Sequence, residues 1–134
     1  MIRVKPGVRF TTVAPAGFLI LTALKAASRK LGKDLTITSG TDGLHSGPLD
    51  PHHLGEAFDI RSHDFPEALR PVVLKAIMEE LDPARFYGFL EAPGQANEHF
   101  HLQRRKGTMF SVEDFLRDEP VSRGTILESS VATS

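Results

Sequence analysis

All six histidines of the 134-residue chain fall between His45 and His101, a window of less than half its length. Two groups stand out, the adjacent pair His52-His53 and the stretch "EHFH", which carries His99 and His101. Between them, "AFDI" places Asp59 among apolar neighbours, and a carboxylate that flanks a core needs a partner. Side chains alternate along a strand. Phe58 and Ile60 therefore share one face while Asp59 takes the other, and in "HFHL" Phe100 and Leu102 oppose His99 and His101. If both segments join one sheet with their apolar residues in the core, Asp59, His99 and His101 converge on the accessible face. Two imidazoles and a carboxylate, with a position left for water, form the donor set of a catalytic zinc centre. Such an ion brings the pKa of bound water toward neutrality and polarises a carbonyl, leaving the protein to supply a general base. Glu98 is the nearest candidate, but strict alternation turns it away from His99. It serves only if the strand begins at about His99 and leaves the glutamate on the preceding bend. The blander readings are a salt bridge from Asp59 to Arg61, two positions along on the same face, and alternating polar residues on a half-exposed strand. His63 reads as a surface histidine.

The elements that must position these residues follow from periodicity and punctuation. Residues 15–31 carry Phe18, Leu21, Leu24 and Leu31 at helical spacing, with Gly32 where a C-terminal cap belongs. "DLTITSG" alternates as a short strand, residues 41–51 are rich in loop formers, and "EAFDIRS" is the next strand. "DFPEALRPVVLKAIMEELDP" predicts a second helix on Leu69, Val72, Val73, Ile77 and Leu81, with Pro71 in or near its first turn. "RFYGFLEA" and "EHFHLQR" follow as an antiparallel hairpin across "PGQAN", and "SVEDFLRD" predicts a last short helix. This mixture without a βαβ rhythm predicts an α+β fold with a small antiparallel sheet and flanking helices. One domain over residues 1–119 is expected, with 120–134 as a small, polar, mobile tail.

Composition narrows the chemistry further. Forty per cent hydrophobic residues suit one ordinary core. Sixteen Lys and Arg against seventeen Asp and Glu give a net charge of -1 without a basic block, so no nucleic-acid partner is expected. The chain has no cysteine, which excludes thiolate ligands and leaves His, Asp and Glu for a metal. The apolar stretch "GFLILTALKAA" is too short and too soon followed by charge to span a bilayer, and no secretory signal is recognisable. A monomer that does not insert into membranes is expected.

"HHLGEAFDI" followed by "EHFH" resembles the zinc D-alanyl-D-alanine carboxypeptidase and L-alanyl-D-glutamate endopeptidase family, whose hedgehog-type fold also occurs in phage endolysins. That family carries Ser-x-His-x-x-Gly-x-Ala-x-Asp and a later Glu/Asp-x-x-His or His-x-His. Matched on Gly55 and Ala57, the resemblance implies Zn2+ held by His52, Asp59 and His101, with Glu98 as general base and His99 lining the site. It favours His52 over His53, because the family glycine lies three residues after the ligand. It covers about residues 35–104, including "ITSGTDGLHSG", where His45 stands at a cleft-lining position. It implies hydrolysis of a bond in peptidoglycan stem peptides, with action at the cell wall after release as in phage lysins. Two departures are notable: Asp42 stands where many relatives have an arginine that stabilises developing negative charge, and Asp50 replaces the motif serine. Arg61 or His99 are candidates to replace that arginine.

Two other functions compete. A non-catalytic zinc-binding module of the same fold is favoured by the missing arginine. An iron oxygenase with a two-histidine, one-carboxylate triad ranks low, because such enzymes commonly hold His and Asp two residues apart on one strand whereas seven separate His52 from Asp59.

Overall fold

A computed structural model describes residues 1–42, 49–111 and 113–114. Of the expected last helix, Ser111 is described and not helical, residues 113 and 114 are helical, and the rest, like His45 and the tail over 120–134, lies outside the described residues. The fold is α+β: an open five-stranded sheet in the order β1-β2-β3-β5-β4, with two helices. Its strands are β1 (Ile2–Val4), β2 (Leu35–Ser39), β3 (Ala57–Arg61), β4 (Phe86–Glu91) and β5 (His99–Arg104), and the helices are α1 (Pro15–Leu31) and α2 (Arg70–Met78). The sheet is mixed, which corrects the all-antiparallel expectation. β1 runs parallel to β2, and the other pairings are antiparallel. Three residues followed by Lys5-Pro6-Gly7 carry little strand signal of their own. β1 takes its identity from the register Ile2↔Leu35 and Val4↔Ile37.

α1 starts with Pro15 in its first turn, where the missing N–H costs no helical bond. It stops at Gly32, whose left-handed φ of 63° lets Gly32 and Lys33 donate to the carbonyls of Arg29 and Ser28. Its buried face differs from the expected one. Ala16, Leu19, Ile20, Ala23, Leu24 and Ala27 are buried, whereas Phe18 is 52% exposed. Small alanines let the helix approach the sheet closely, and the larger Phe18 stays outside. α2 is shorter than expected, preceded by a 3-10 turn over Glu67–Leu69. It buries Val73 and Ile77 and exposes Val72, and Leu69 of the preceding turn is exposed as well.

Both helices contribute to a core with Leu35, Ile37, Phe58, Ile60, Phe100 and Leu102 from the sheet. The intervening strand residues Asp59, Arg61, His99 and His101 are only partly covered and line a cleft or cavity on the other face. Among the described residues, no helix is long and apolar enough to cross a membrane.

Candidate metal centre

The register of the central strands sets the site. β3 and β5 pair Asp59 with His101 and Arg61 with His99, while β4 adds Glu91 opposite His99. Directly opposed residues in an antiparallel pair have Cβ atoms about 5 Å apart, so these side chains meet. Asp59, Glu91, His99 and His101 each offer a ligand atom, and all four atoms lie within 4.8 Å of one another.

His52 reaches the same point from the loop between β2 and β3. Its amide donates to Asp50 Oδ1 at 2.8 Å, so Asp50 holds the loop that carries His52. Gly55 ends this turn at φ 71°, and a Cβ there would stand 2.2 Å from the Thr12 carbonyl oxygen. The N-terminal segment crosses at this point: Ala14 donates to the Gly55 carbonyl, and Thr41 donates to that of Arg9. Asp42 belongs to the same crossing, because its Oδ1 accepts from the amides of Arg9 (3.0 Å) and Gly40 (2.9 Å). Asp42 thus ties down the segment beside the His52 loop.

The arrangement of imidazole nitrogens is the informative feature. His52 Nε2, His101 Nδ1 and His99 Nε2 stand 3.2, 3.0 and 3.4 Å from one oxygen, Asp59 Oδ1. Each ring's other nitrogen faces an oxygen acceptor. His52 Nδ1 lies 3.2 Å from the Gly40 carbonyl, His99 Nδ1 2.8 Å from the Asn97 carbonyl, and His101 Nε2 2.8 Å from Gln103 Oε1. A carbonyl only accepts, so the nitrogen facing it carries the proton. In a neutral ring the inward nitrogen then presents its lone pair. Three such lone pairs directed at one carboxylate oxygen repel unless protons or a cation stand between them. Outer nitrogens anchored on acceptors are the usual support of metal-ligating histidines.

Electrostatics agree with that reading. Burial opposes ionisation of Asp59, but hydrogen bonds to His101 and His52 and attraction from His52 and His99 outweigh it, holding the carboxyl well below the usual carboxylate range. Burial likewise opposes the charge on His101, and its bonds to Asp59 and Gln103 with attraction from Asp59 and Glu91 raise its pKa. The site therefore favours positive charge beside Asp59. A cleft of about 350 Å³ opens over it, lined by Asp50, His52, Asp59, Glu91, His99 and His101 among others.

Compared with models of known families, with curated proteins and with solved structures, the chain has no significant match.

His52, Asp59, His99 and His101 are thus brought together, with His52 buried against Asp59. Glu98 is placed elsewhere. β5 begins at His99, as a role for Glu98 requires, yet the Glu98 carboxylate accepts from Ser62 Oγ (2.6 Å) and the Gly94 amide (2.8 Å) and pairs with Arg70 at 3.1 Å. The Gly94 amide, the Ser62 hydroxyl and Arg70 outweigh burial and hold it below the usual carboxylate range. Among the described residues it shares no hydrogen bond or ion pair with the histidine cluster. Arg61 pairs with Asp64 at 3.8 Å, so the Asp59–Arg61 bridge is not formed. His63 is exposed, with Nε2 3.2 Å from the Gln95 carbonyl. Glu91 was missed by the sequence reading. Alternation from Phe86 puts Tyr87, Phe89 and Glu91 on one face, but only the β4–β5 register reveals that Glu91 meets His99 at 2.7 Å.

Proposed function

We propose that this chain is a zinc peptidase that hydrolyses a bond in the stem peptide of bacterial peptidoglycan, with a hedgehog-type fold. The observation that carries the metal-site reading is the convergence of three imidazoles, each anchored through its outer nitrogen, on Asp59 Oδ1. The substrate class rests on the resemblance of "HHLGEAFDI" and "EHFH" to that peptidase family. His52 Nε2, Asp59 Oδ1 and His101 Nδ1 would hold the ion. Borderline-soft zinc suits imidazole and carboxylate donors. When bound, zinc supplies a Lewis acid that lowers the pKa of water and polarises a carbonyl.

Proton handling falls to His99 and Glu91. The Asn97 carbonyl fixes the His99 Nδ1 proton, which leaves Nε2 beside Glu91 Oε1 at 2.7 Å. A ring nitrogen and a carboxylate oxygen at that distance hold a proton between them, so His99 would support Glu91, whose exposed carboxylate is placed to take a proton from the attacking water and return it to the leaving amine. Glu98, held by Arg70 and Ser62, orders the turn that delivers His99.

The alternative, a zinc-binding module without turnover, is favoured by Asp42, which is spent on structural bonds where relatives in the resembled family have arginine. One experiment separates the two: purified muropeptides are incubated with zinc-loaded protein and the products are weighed by mass spectrometry. Cleavage is expected, falling at least about tenfold in Glu91→Gln, while Glu98→Gln keeps its zinc and loses thermal stability. Intact muropeptides with zinc bound would establish the module; loss of turnover in Glu98→Gln at unchanged stability would return the base role to Glu98.

A further inference from the structure

A row of side chains crosses the cleft-bearing face away from the metal centre. Glu91 opposes His99 and His99 opposes Arg61 in the sheet register. Ile37 opposite Ile60 sets Thr36 beside Arg61, and Thr36 opposes Arg3. Beyond Arg61 this face sinks into a second cavity of about 350 Å³, lined by Arg3, Lys33, Asp34, Thr36, Arg61 and Asp64 among others. Arg61 is thus the hinge between the two spaces, with its neighbour His99 in the metal cleft and its own side chain on the cavity wall.

The charges of this cavity favour an anion. Three cations, Arg3, Lys33 and Arg61, face two acids, Asp34 and Asp64. Asp34 is occupied by Arg3 at 2.7 Å and by the Met1 amine at 3.3 Å. Arg61 meets Asp64 only at 3.8 Å, with both side chains more than a third exposed. An ion pair of that length and exposure contributes little and yields to a better partner. A planar guanidinium with parallel donors is matched to a carboxylate. The excess of one positive charge suits a singly charged ligand.

We propose that Arg61, with Lys33 and Arg3 behind it, forms a recognition subsite for a carboxylate of the substrate peptide. The inference rests on the peptidase reading of the neighbouring centre and names what that peptidase selects. Strands lie about 4.8 Å apart, so Arg61 is one step from His99 and Arg3 about three steps away. An extended peptide advances about 3.3 Å per residue. A peptide lying across the strands with its scissile bond at the metal centre places a side carboxylate one to four residues away into this cavity. The preferred substrates are therefore acidic peptides with that spacing, and masking the acid removes the preference.

The test uses two synthetic stem peptides that differ only in whether their side carboxyls are free or amidated. Turnover by the zinc-loaded protein is followed by mass, and binding by amide shifts of Arg3, Thr36 and Arg61 in nuclear magnetic resonance titrations. The free acid is expected to show a KM and Kd lower by about tenfold. Arg61→Gln removes the difference, Arg61→Lys keeps part of it, and added salt erodes it. Equal binding of the two peptides, or discrimination that survives Arg61→Gln, overturns the subsite even if both are cut. Selective binding without cleavage overturns the peptidase reading and leaves the subsite standing.

Discussion

Zinc added to metal-stripped protein should raise its melting temperature steeply, and Asp59→Asn should abolish most of the rise. The native state brings Asp59, Glu91, His99 and His101 donors within 4.8 Å of one another and adds His52 Nε2 at 3.2 Å from Asp59. These donors come from sequence positions spread between 52 and 101, so an unfolded chain does not gather them. An ion that binds only the native state stabilises by about 2.7 kcal/mol at 100 times Kd and about 4.1 kcal/mol at 1,000 times Kd. For a chain of this size each kcal/mol moves the midpoint by about 4 °C. The expected rises are then roughly 11 °C and 16 °C. Asp59→Asn retains the shape but removes the charge on which three imidazoles converge. Differential scanning calorimetry across a zinc series, beside metal content by mass spectrometry, reads both effects. A zinc-induced shift in Asp59→Asn equal to that of wild type would refute the assignment of Asp59 to the centre, and a wild-type shift under about 2 °C at millimolar zinc would refute the centre itself.

Two more predictions concern pH and the loop. His101 gains affinity for its proton on folding, so it stabilises the metal-free protein fully below the ordinary imidazole value of 6.5, and that contribution is lost as pH rises through its raised folded value. Calorimetry of stripped protein should show the loss in this window, while zinc affinity strengthens across it as the competing proton leaves; metal-free stability that increases there would contradict the Asp59–His101 contact. Gly55→Ala puts a Cβ 2.2 Å from the Thr12 carbonyl oxygen at a left-handed φ of 71°. A loss of at least about 2 kcal/mol in urea unfolding is expected, together with weaker zinc binding as the His52 turn shifts; wild-type values for both would show that the crossing does not position His52.

Much of the site was legible in local pattern. "AFDI" and "HFHL" both alternate, and in each the apolar pair is buried while the polar residues line the cleft. Alternation also warned that Glu98 faces away from His99, and its carboxylate is found with Ser62, Gly94 and Arg70. The end of α1 followed from Gly32, since glycine readily takes the left-handed backbone that closes a helix. Its buried face did not follow, because the amphipathic pattern leaves several apolar faces and the sheet selects the one whose alanines allow close approach.

Residue types and spacing alone determined the order of helices and strands from α1 to β5, imidazole and carboxylate donors as the chain's only strong metal ligands, and a strand face on which Asp59, His99 and His101 alternate outward. Those properties depend on single residues and their near neighbours, so they can be read locally. Tertiary pairing alone decided that Glu91 stands against His99, that Arg61 opens into a second cavity, that β1 joins in parallel and that Glu98 is bound to Arg70. Each of these depends on which distant elements become neighbours and, between strands, in what register, and both are set by the whole core packing against its helices.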